Sequence, residues 1–289
     1  MANKKTHIAI IYDFDKTLSV SEMQDSFIQS IGMNPNDFWK EASDFAKKEG
    51  MDKILAYLYE MIRERKVHQM PLNRQILNEF GSNIEFHSGV LEWFDAIDEL
   101  AKVHDVIIDH YVISSGLKEI IEGTPIYNRF KNVYACEYYY DENGVPVWIK
   151  NVVNFTSKTQ FLFRINKGEL DIWDDRGVNE FVYHDDRPIP FENMIYIGDG
   201  MTDIPCMKLV KQYGGSSIGV YKDDVSTVQQ LRYDDRINYY CKADYSKGKD
   251  LYNLVSKIIA KIVVDHPLRM ESSAMFKDSE RALEMDVDS

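Results

Sequence analysis

Four short apolar runs constrain the fold more than any other feature of the sequence. They are residues 8–12, 106–113, 194–197 and 217–221. Each run is mostly apolar and contains β-branched residues, a pattern typical of strands that are buried on both faces of a parallel sheet. The sequence therefore predicts an α/β fold, with a Rossmann-like parallel sheet and helices on both faces.

Small or acidic residues follow these predicted strands. Asp13 comes directly after the first, Ser114 after the second, and Gly198 and Asp199 after the third. Ligands of open α/β sheets bind just beyond the carboxyl ends of the strands. We expect these residues to meet at one such edge and to form the functional site.

A helical insert separates the first two predicted strands. Residues 20–86 carry apolar side chains at the i, i+3 and i+4 spacings of amphipathic helices, and no strand pattern. We predict a small all-helical cap domain over this range. The α/β core would then comprise residues 1–19 and 87–268.

Two further elements are predicted around and after the core. Residues 134–152 hold two β-rich runs around the turn sequence Asp-Glu-Asn-Gly at 141–144, which indicates a β-hairpin flap. An amphipathic helix begins near Leu251 and is expected to end near Pro267. The polar C-terminal tail, residues 269–289, is expected to be frayed or disordered.

Composition excludes several classes of protein. The net charge of −13 would repel a phosphate backbone, so nucleic acid is an unexpected partner. The three cysteines lie far apart in no metal-ligand spacing. No apolar stretch approaches the ~20 residues of a membrane helix, and no signal-peptide core is present. We expect no membrane association and a cytoplasmic location.

The first acidic pair is Asp13 and Asp15. Two carboxylates two residues apart after a buried strand would repel each other, and Mg²⁺ resolves such repulsion because it prefers oxygen ligands and shared phosphate. A carboxylate is also able to attack phosphorus and form an aspartyl-phosphate. The alternative is a solvated turn without chemistry.

A second acidic pair, Asp199 and Asp203, follows another strand. Glycines at 198 and 200 allow close approach of the backbone to a ligand, and Asp203 shares a face with Asp199 if a helix begins there. Asp203 would then support the site from behind. The alternative is a Gly-Asp-Gly turn with a helix N-cap.

Three residues are candidates for binding phosphate. Ser114 and Ser115 offer hydroxyl and backbone N–H donors at a strand end, and Lys158 opens a predicted helix that ends at Gly168. The alternatives are an ordinary N-cap for the serine and a solvated side chain for the lysine.

Together these elements resemble the four motifs of the haloacid dehalogenase (HAD) superfamily, in the same order. The motifs are Asp-Phe-Asp-Lys-Thr at 13–17, Ile-Ser-Ser-Gly at 113–116, Ser-Lys-Thr at 157–159 and Gly-Asp-Gly-Met-Thr-Asp at 198–203. The helical insert lies where type 1 caps of that superfamily lie. The resemblance is greatest to the phosphoserine-phosphatase-like branch.

The resemblance implies a Mg²⁺-dependent phosphatase that acts on a small phosphorylated metabolite. Asp13 would be the nucleophile, and Asp15 would protonate the leaving alcohol and then activate water. The metal would be held by the Asp13 carboxylate, the Asp15 main-chain carbonyl and Asp199, with Asp203 in support. Ser114, Ser115 and Lys158 would hold the phosphoryl group.

Specificity and activity leave alternatives open. Glu22 lies where the branch has a substrate-recognising glutamate, although an exposed helix position is the other interpretation. The branch also uses a cap arginine, which the helix over 54–62 lacks; Arg63 and Arg65 lie nearby. Transfer to an alcohol instead of water, or a binding protein that has lost activity, are the alternative functions. The oligomeric state is not predicted.

Overall fold

A seven-stranded sheet forms the centre of the protein. The computed structural model describes residues 5–69 and 71–287, with side chains up to 280. The strands are β1 (His7–Tyr12), β2 (Ile107–Leu117), β3 (Asn132–Tyr140), β4 (Pro146–Asn151), β5 (Met194–Gly198), β6 (Ser216–Tyr221) and β7 (Tyr239–Lys242). Their order is β4-β3-β2-β1-β5-β6-β7. All neighbouring pairs are parallel except β3 and β4. The predicted α/β fold is confirmed.

The four predicted strands occupy the centre of this sheet. β1 pairs with β2 on one side and β5 on the other, so that Ile11 faces Tyr111 and Tyr196 in the two ladders. Residues 8–12 are completely buried, which explains their uninterrupted apolar character. The sequence did not predict β7, a four-residue edge strand with no fully buried side chain.

Four α-helices form the described part of the insert between β1 and the rest of the core. They are α1 (Asp25–Ser30), α2 (Pro35–Glu49), α3 (Lys53–Val67) and α4 (Arg74–Ser82). The side chains of Asn34, Asp52 and Asn73 accept hydrogen bonds at the starts of α2, α3 and α4. Gly50 ends α2 in the left-handed conformation. The all-helical character of the insert matches the prediction, while its exact limits as a domain stay a prediction.

The predicted apolar faces of the insert are its packing faces. Phe38 and Ala42 of α2 are buried, as are Leu58 and Met61 of α3. The two chain crossings between insert and core lie side by side, because Val20 N donates to Glu85 O at 2.9 Å. This arrangement places the insert directly above the carboxyl ends of the strands.

In the described ranges, seven further α-helices flank the sheet. They are α5 (Val90–His104), α6 (Lys118–Glu122), α7 (Lys158–Lys167), α8 (Asp175–Asn179), α9 (Ile204–Gln212), α10 (Ser226–Tyr233) and α11 (Asp250–Val287). α7 begins at Lys158 and ends at Gly168, where φ is +76°, as predicted. In the described part of the chain, no helix is long and apolar enough to cross a membrane.

The β-hairpin flap consists of β3 and β4. Asp141 Oδ1 accepts hydrogen bonds from the N–H groups of Asn143 and Val145, and Gly144 adopts a positive φ. The Tyr138 hydroxyl donates to the carbonyl of Leu58 at 2.8 Å. The hairpin thus contacts the helical insert.

The C-terminal helix corrects the prediction that it ends near Pro267 and that a frayed tail follows. α11 continues through Pro267 to Val287, and residues 288–289 lie outside the described part. A proline costs a helix one backbone hydrogen bond, but contacts on both sides can maintain the helix. Arg269 Nη2 donates to Asn193 Oδ1 at 2.6 Å, and Lys277 Nζ donates to Asp185 Oδ2 at 2.7 Å. These contacts with the core stabilise the helix beyond the proline.

His110 is a buried polar residue of β2 whose ring packs against Tyr12 of β1 and Phe94, in the helix over 90–104. Its Nδ1 is 2.9 Å from the Tyr12 hydroxyl, which accepts a hydrogen bond from Trp93 Nε1 at 2.7 Å. Its Nε2 is buried and has no hydrogen-bond partner among the described residues. Burial lowers the pKa of His110 to about 3, so the ring is neutral in the folded protein.

We expect His110 to make the protein less stable in acid. The unfolded chain takes up this proton near pH 6.5 and the folded protein does not, so stability falls as pH drops below 6.5. Between pH 6.5 and 4.5 the loss amounts to about 2 to 3 kcal/mol. Urea unfolding across this range should give a shallower pH dependence for His110→Phe than for the unmodified protein. The exposed His68→Phe control should keep the original dependence, and equal slopes for all three proteins would contradict this assignment.

Candidate active site

The candidate residues meet above the carboxyl ends of three adjacent strands. Asp13 follows β1, Ser114 lies near the carboxyl end of β2 and Asp199 follows β5. β2 extends to Leu117, so Ser114 lies within the strand and not after it. The neighbouring positions of β2, β1 and β5 in the sheet bring together residues that are far apart in the sequence.

Lys158 is the central cation of the site. Its side chain is 1% exposed, and Nζ donates to Asp13 Oδ1 at 2.9 Å and to Asp203 Oδ1 at 2.8 Å. Burial alone would lower the pKa of Lys158, but the carboxylates of Asp13 and Asp203 raise it above its usual value. The lysine is therefore charged and held in one position, which excludes the interpretation as a solvated side chain.

Three carboxylates lie beside this lysine. Oxygens of Asp13, Asp199 and Asp203 lie within 4.8 Å of one another. Burial and the neighbouring carboxylates raise the pKa values of Asp13 and Asp199 above their ordinary range. Asp203 Oδ2 is buried and lacks a hydrogen-bond partner within the described ranges. An all-oxygen group with excess negative charge and an unsatisfied oxygen fits a hard divalent cation.

Asp203 lies behind the other two carboxylates. It is fully buried and accepts hydrogen bonds from Lys158 and from the Tyr196 hydroxyl, the latter at 2.7 Å. A Cβ atom at Gly198 would lie 2.5 Å from Asp203 Oδ2, so only glycine leaves room for this carboxylate. The glycine before Asp199 thus has a packing role as well as a conformational one.

Asp15 lies on the other side of Asp13, toward the helical insert. Its Oδ1 accepts a hydrogen bond from the N–H of Met23 at 2.8 Å. Burial and the nearby carboxylates of Glu22 and Asp13 raise the pKa of Asp15 well above its usual value. At neutral pH this carboxyl group is able to carry a proton, as a general acid must.

The serines of β2 lie on the wall facing these carboxylates. Ser114 is buried, and its Oγ accepts a hydrogen bond from the N–H of Gly116 at 3.0 Å. The Ser115 hydroxyl is also buried and has no hydrogen-bond partner in the described part of the structure. A phosphate oxygen is one group that would satisfy this hydroxyl.

A single cavity of about 260 Å³ contains most of the predicted site. The predicted site residues in its wall are Asp13, Asp15, Glu22, Ser114, Ser115, Lys158 and Asp199. Asp203 contacts this group from behind and does not line the cavity. The structure thus brings all eight predicted residues to one place.

Sequence reasoning missed the contribution of the helical insert to this cavity. Gln24, Trp39, Ile54 and Tyr57 line it from above. Trp39 lies next to Phe38 and outside the apolar face of α2. A tryptophan in that position was the sequence feature from which its place in the cavity could have been suspected. The segment 171–192, between the third and fourth motifs, contributes no residue to the cavity wall.

Glu22 faces the cavity but already has a partner. Lys16 Nζ donates to Glu22 Oε1 at 2.5 Å, and the two side chains are 53% and 31% exposed. The pair is therefore solvated and weak, so either partner remains available to a substrate.

Arg63 pairs with Glu60 and Glu64 on α3 and does not line the cavity. Arg65 does not line it either.

Comparison with known families identifies the class of protein. The family described as haloacid dehalogenase-like hydrolase matches residues 10–208, which include all four motifs. The chain belongs to this family of enzymes. The resemblance predicted from the motifs is confirmed at the level of the superfamily.

Individual proteins extend this comparison. A protein of Borreliella burgdorferi, described as uncharacterized, is 28% identical to this chain. The alignment is 288 residues long and covers 90% of this chain and 99% of the relative. A phosphoserine phosphatase solved as a phospho-aspartyl intermediate analogue has a TM-score of 0.56 at 16% identity and covers 88% of this chain and 99% of its own. A HAD family hydrolase of Salmonella enterica serovar Typhi has a TM-score of 0.57 at 16% identity, and the match covers 86% of this chain and 73% of the hydrolase. Cytosolic 5′-nucleotidase IIIB bound to cytidine has a TM-score of 0.50 at 17% identity, and the match covers 90% of this chain and 87% of the nucleotidase. These structures share the fold of this chain.

Proposed function

We propose that the protein is a Mg²⁺-dependent phosphatase that hydrolyses the phosphomonoester of a small metabolite through an aspartyl-phosphate on Asp13. The observation that carries the proposal is the placement of Asp13. Its carboxylate is held by the buried Lys158 and shares a cavity with Asp15. One fixed nucleophile and one separate carboxyl group for proton transfer are what two-step hydrolysis of a phosphate ester requires.

Asp13 acts first as the nucleophile. The hydrogen bond from Lys158 holds one carboxylate oxygen in place, so that the group is oriented before substrate binds. Attack on phosphorus forms the aspartyl-phosphate and breaks the bond to the leaving oxygen. Lys158, Ser114 and Ser115 offset and orient the charge of the transferring phosphoryl group.

Asp15 moves the protons of both steps. Its raised pKa allows it to enter the reaction protonated and to give that proton to the leaving alcohol. The resulting carboxylate then removes a proton from the water that attacks the aspartyl-phosphate. The hydrogen bond from Met23 N–H fixes the Asp15 carboxyl group toward the cavity.

Mg²⁺ would be held by the Asp13 carboxylate, the Asp15 main-chain carbonyl and Asp199, with Asp203 supporting the site. When bound, it supplies positive charge that lowers the repulsion between the carboxylates and the phosphate. The unsatisfied Asp203 oxygen and the raised pKa values of Asp13 and Asp199 support this part of the proposal.

The rival functions use the same residues. Transfer of the phosphoryl group to a bound alcohol would differ only in the acceptor, and a pure binding protein would need no turnover. Retention of Asp13, Asp15, Lys158 and Asp199 in one cavity supports catalysis. A cytoplasmic location and a small phosphorylated substrate remain parts of the proposal.

The experiment that tests the function measures hydrolysis of an aryl phosphate. We expect turnover with Mg²⁺, loss of turnover with excess EDTA, and recovery when Mg²⁺ is restored. Release of inorganic phosphate, measured with and without added alcohol, separates hydrolysis from transfer. No Mg²⁺-dependent turnover on aryl phosphate or on any other phosphomonoester would contradict the proposal.

A further inference from the structure

The upper wall of the cavity, which would face the leaving group, is aromatic. Trp39 and Tyr57 line it, with ring centroids 5.3 Å apart and planes at 66°. The Tyr57 hydroxyl donates to the carbonyl of Ser115 at 2.6 Å, which fixes the ring against the core. Aromatic faces attract organic cations through the ring quadrupole.

The same wall carries a hydrogen-bond acceptor without a donor. The Gln24 side chain is 1% exposed, and its Oε1 is buried with no hydrogen-bond partner among residues 5–69 and 71–287. A buried polar atom without a partner is costly, which indicates that a ligand supplies the missing donor. Glu22 adds a carboxylate at the same side of the cavity.

The cavity offers little to a carboxylate on the leaving group. In its described wall the cationic side chains are Lys158, bonded to Asp13 and Asp203, and Lys16, bonded to Glu22. None of the three arginines of the insert, Arg63, Arg65 and Arg74, lines it, and a guanidinium is the usual partner for two-point binding of a carboxylate. The carboxylate of an amino acid phosphate would therefore meet at most the single ammonium of Lys16, which cannot provide the two-point contact of a guanidinium.

We propose that the substrate is the phosphomonoester of a small amino alcohol without a carboxylate, whose protonated amine contacts Trp39 and Tyr57 and donates hydrogen bonds to Gln24 and Glu22. This inference rests on the proposed phosphatase function and adds the class of leaving group. The amine supplies the donors that Gln24 Oε1 lacks, and its charge matches both the aromatic faces and the Glu22 carboxylate.

The size and shape of the cavity favour such a substrate over a nucleotide. Its volume of about 260 Å³ must hold the phosphate as well as the leaving group. The edge-to-face arrangement of Trp39 and Tyr57 also leaves no slot between parallel rings for a base.

The test compares kcat/KM for phosphate esters that differ in one group. O-phosphoethanolamine carries the ammonium, 2-hydroxyethyl phosphate replaces it with a hydroxyl, and O-phosphoserine adds a carboxylate. We expect kcat/KM for O-phosphoethanolamine to be about tenfold or more above both other esters, the effect of a desolvated ammonium contact. An aryl phosphate measured in parallel reports the basic reaction.

Two variants assign the preference to the upper wall. Gln24→Leu and Trp39→Leu should each lower the ratio of kcat/KM between O-phosphoethanolamine and 2-hydroxyethyl phosphate by about fivefold or more. The matched controls are Gln29→Leu, on the exposed side of α1, and Trp148→Leu, on β4 and 73% exposed. Both controls should keep the ratio of the unmodified protein.

The outcomes separate the inference from the function on which it rests. Hydrolysis of the aryl phosphate with no preference for the ammonium ester would overturn the inference about the leaving group and would still support the proposed phosphatase function. A preference for O-phosphoserine or for a nucleoside monophosphate would overturn it as well, as would an ammonium preference that both wall variants retain. Absence of Mg²⁺-dependent hydrolysis of every ester would contradict the function and the inference together.

Discussion

Asp13→Asn is expected to abolish measurable phosphatase turnover while leaving the protein folded. The amide cannot form an aspartyl-phosphate, so no slower version of the same route remains. The asparagine side chain has the same size as aspartate and still accepts a hydrogen bond from Lys158. The loss of one negative charge is tolerated, because burial and the Asp203 carboxylate already raise the pKa of Asp13 and disfavour its charged form. Aryl phosphate hydrolysis and thermal unfolding of the same sample, both with Mg²⁺, check the two halves of this prediction.

The controls for Asp13→Asn compare two other aspartates. Asp15→Asn should slow turnover by about 10² to 10⁴, the range for loss of a positioned acid or base, and should not abolish it. Asp37→Asn, at an exposed position in the first turn of α2, should leave turnover unchanged. Retained turnover in a pure preparation of Asp13→Asn would remove Asp13 from the role of nucleophile.

Lys158→Met is expected to cause the largest loss of stability of any single substitution in the site. It leaves the carboxylates of Asp13 and Asp203 buried without their shared cation. Removal of one partner from a buried ion pair costs about 3 to 5 kcal/mol, and proton uptake by the carboxyl groups limits the cost at low pH. Turnover should fall by about 10² or more, because a charged contact to the phosphoryl group is lost. Urea unfolding in EDTA at pH 8 and aryl phosphate hydrolysis measure the two effects.

A double substitution tests the electrostatic origin of this loss. Adding Asp203→Asn to Lys158→Met removes one of the two uncompensated carboxylates and should recover part of the free energy of unfolding. Lys208→Met, at an exposed position of α9, provides the matched control and should change the free energy of unfolding by less than about 0.5 kcal/mol. A loss below about 1 kcal/mol for Lys158→Met would contradict the interpretation that Lys158 neutralises the site.

The site contains a conflict between stability and function. Fully buried Asp203 and Lys158 hold the reacting groups in place, yet oxygens of three carboxylates remain within 4.8 Å of one another. Such an arrangement is unfavourable until a cation binds, and a ligand that binds only the folded state then stabilises it. Binding of Mg²⁺ is therefore expected to be coupled to the stability of the loops after β1 and β5.

The sequence by itself determined the parallel sheet and the membership of the superfamily. The central strands are largely buried on both faces, so their apolar runs are visible without any knowledge of the fold. The motif residues come shortly after these apolar runs in the sequence, which made Asp13, Asp15, Ser114 and Asp199 recognisable as one group. Their catalytic roles stay predictions until the variants are measured.

Only the tertiary structure decided features that depend on contacts between distant segments. The continuation of α11 past Pro267 depends on Asn193 and Asp185, and the proline signal in the sequence predicted the opposite. The upper wall of the cavity depends on how the helical insert packs above β2. In the sequence, Trp39 is visible only as a tryptophan outside the apolar face of its helix. Its place in the cavity wall is set by the distance to groups on other elements and not by its neighbours in the chain.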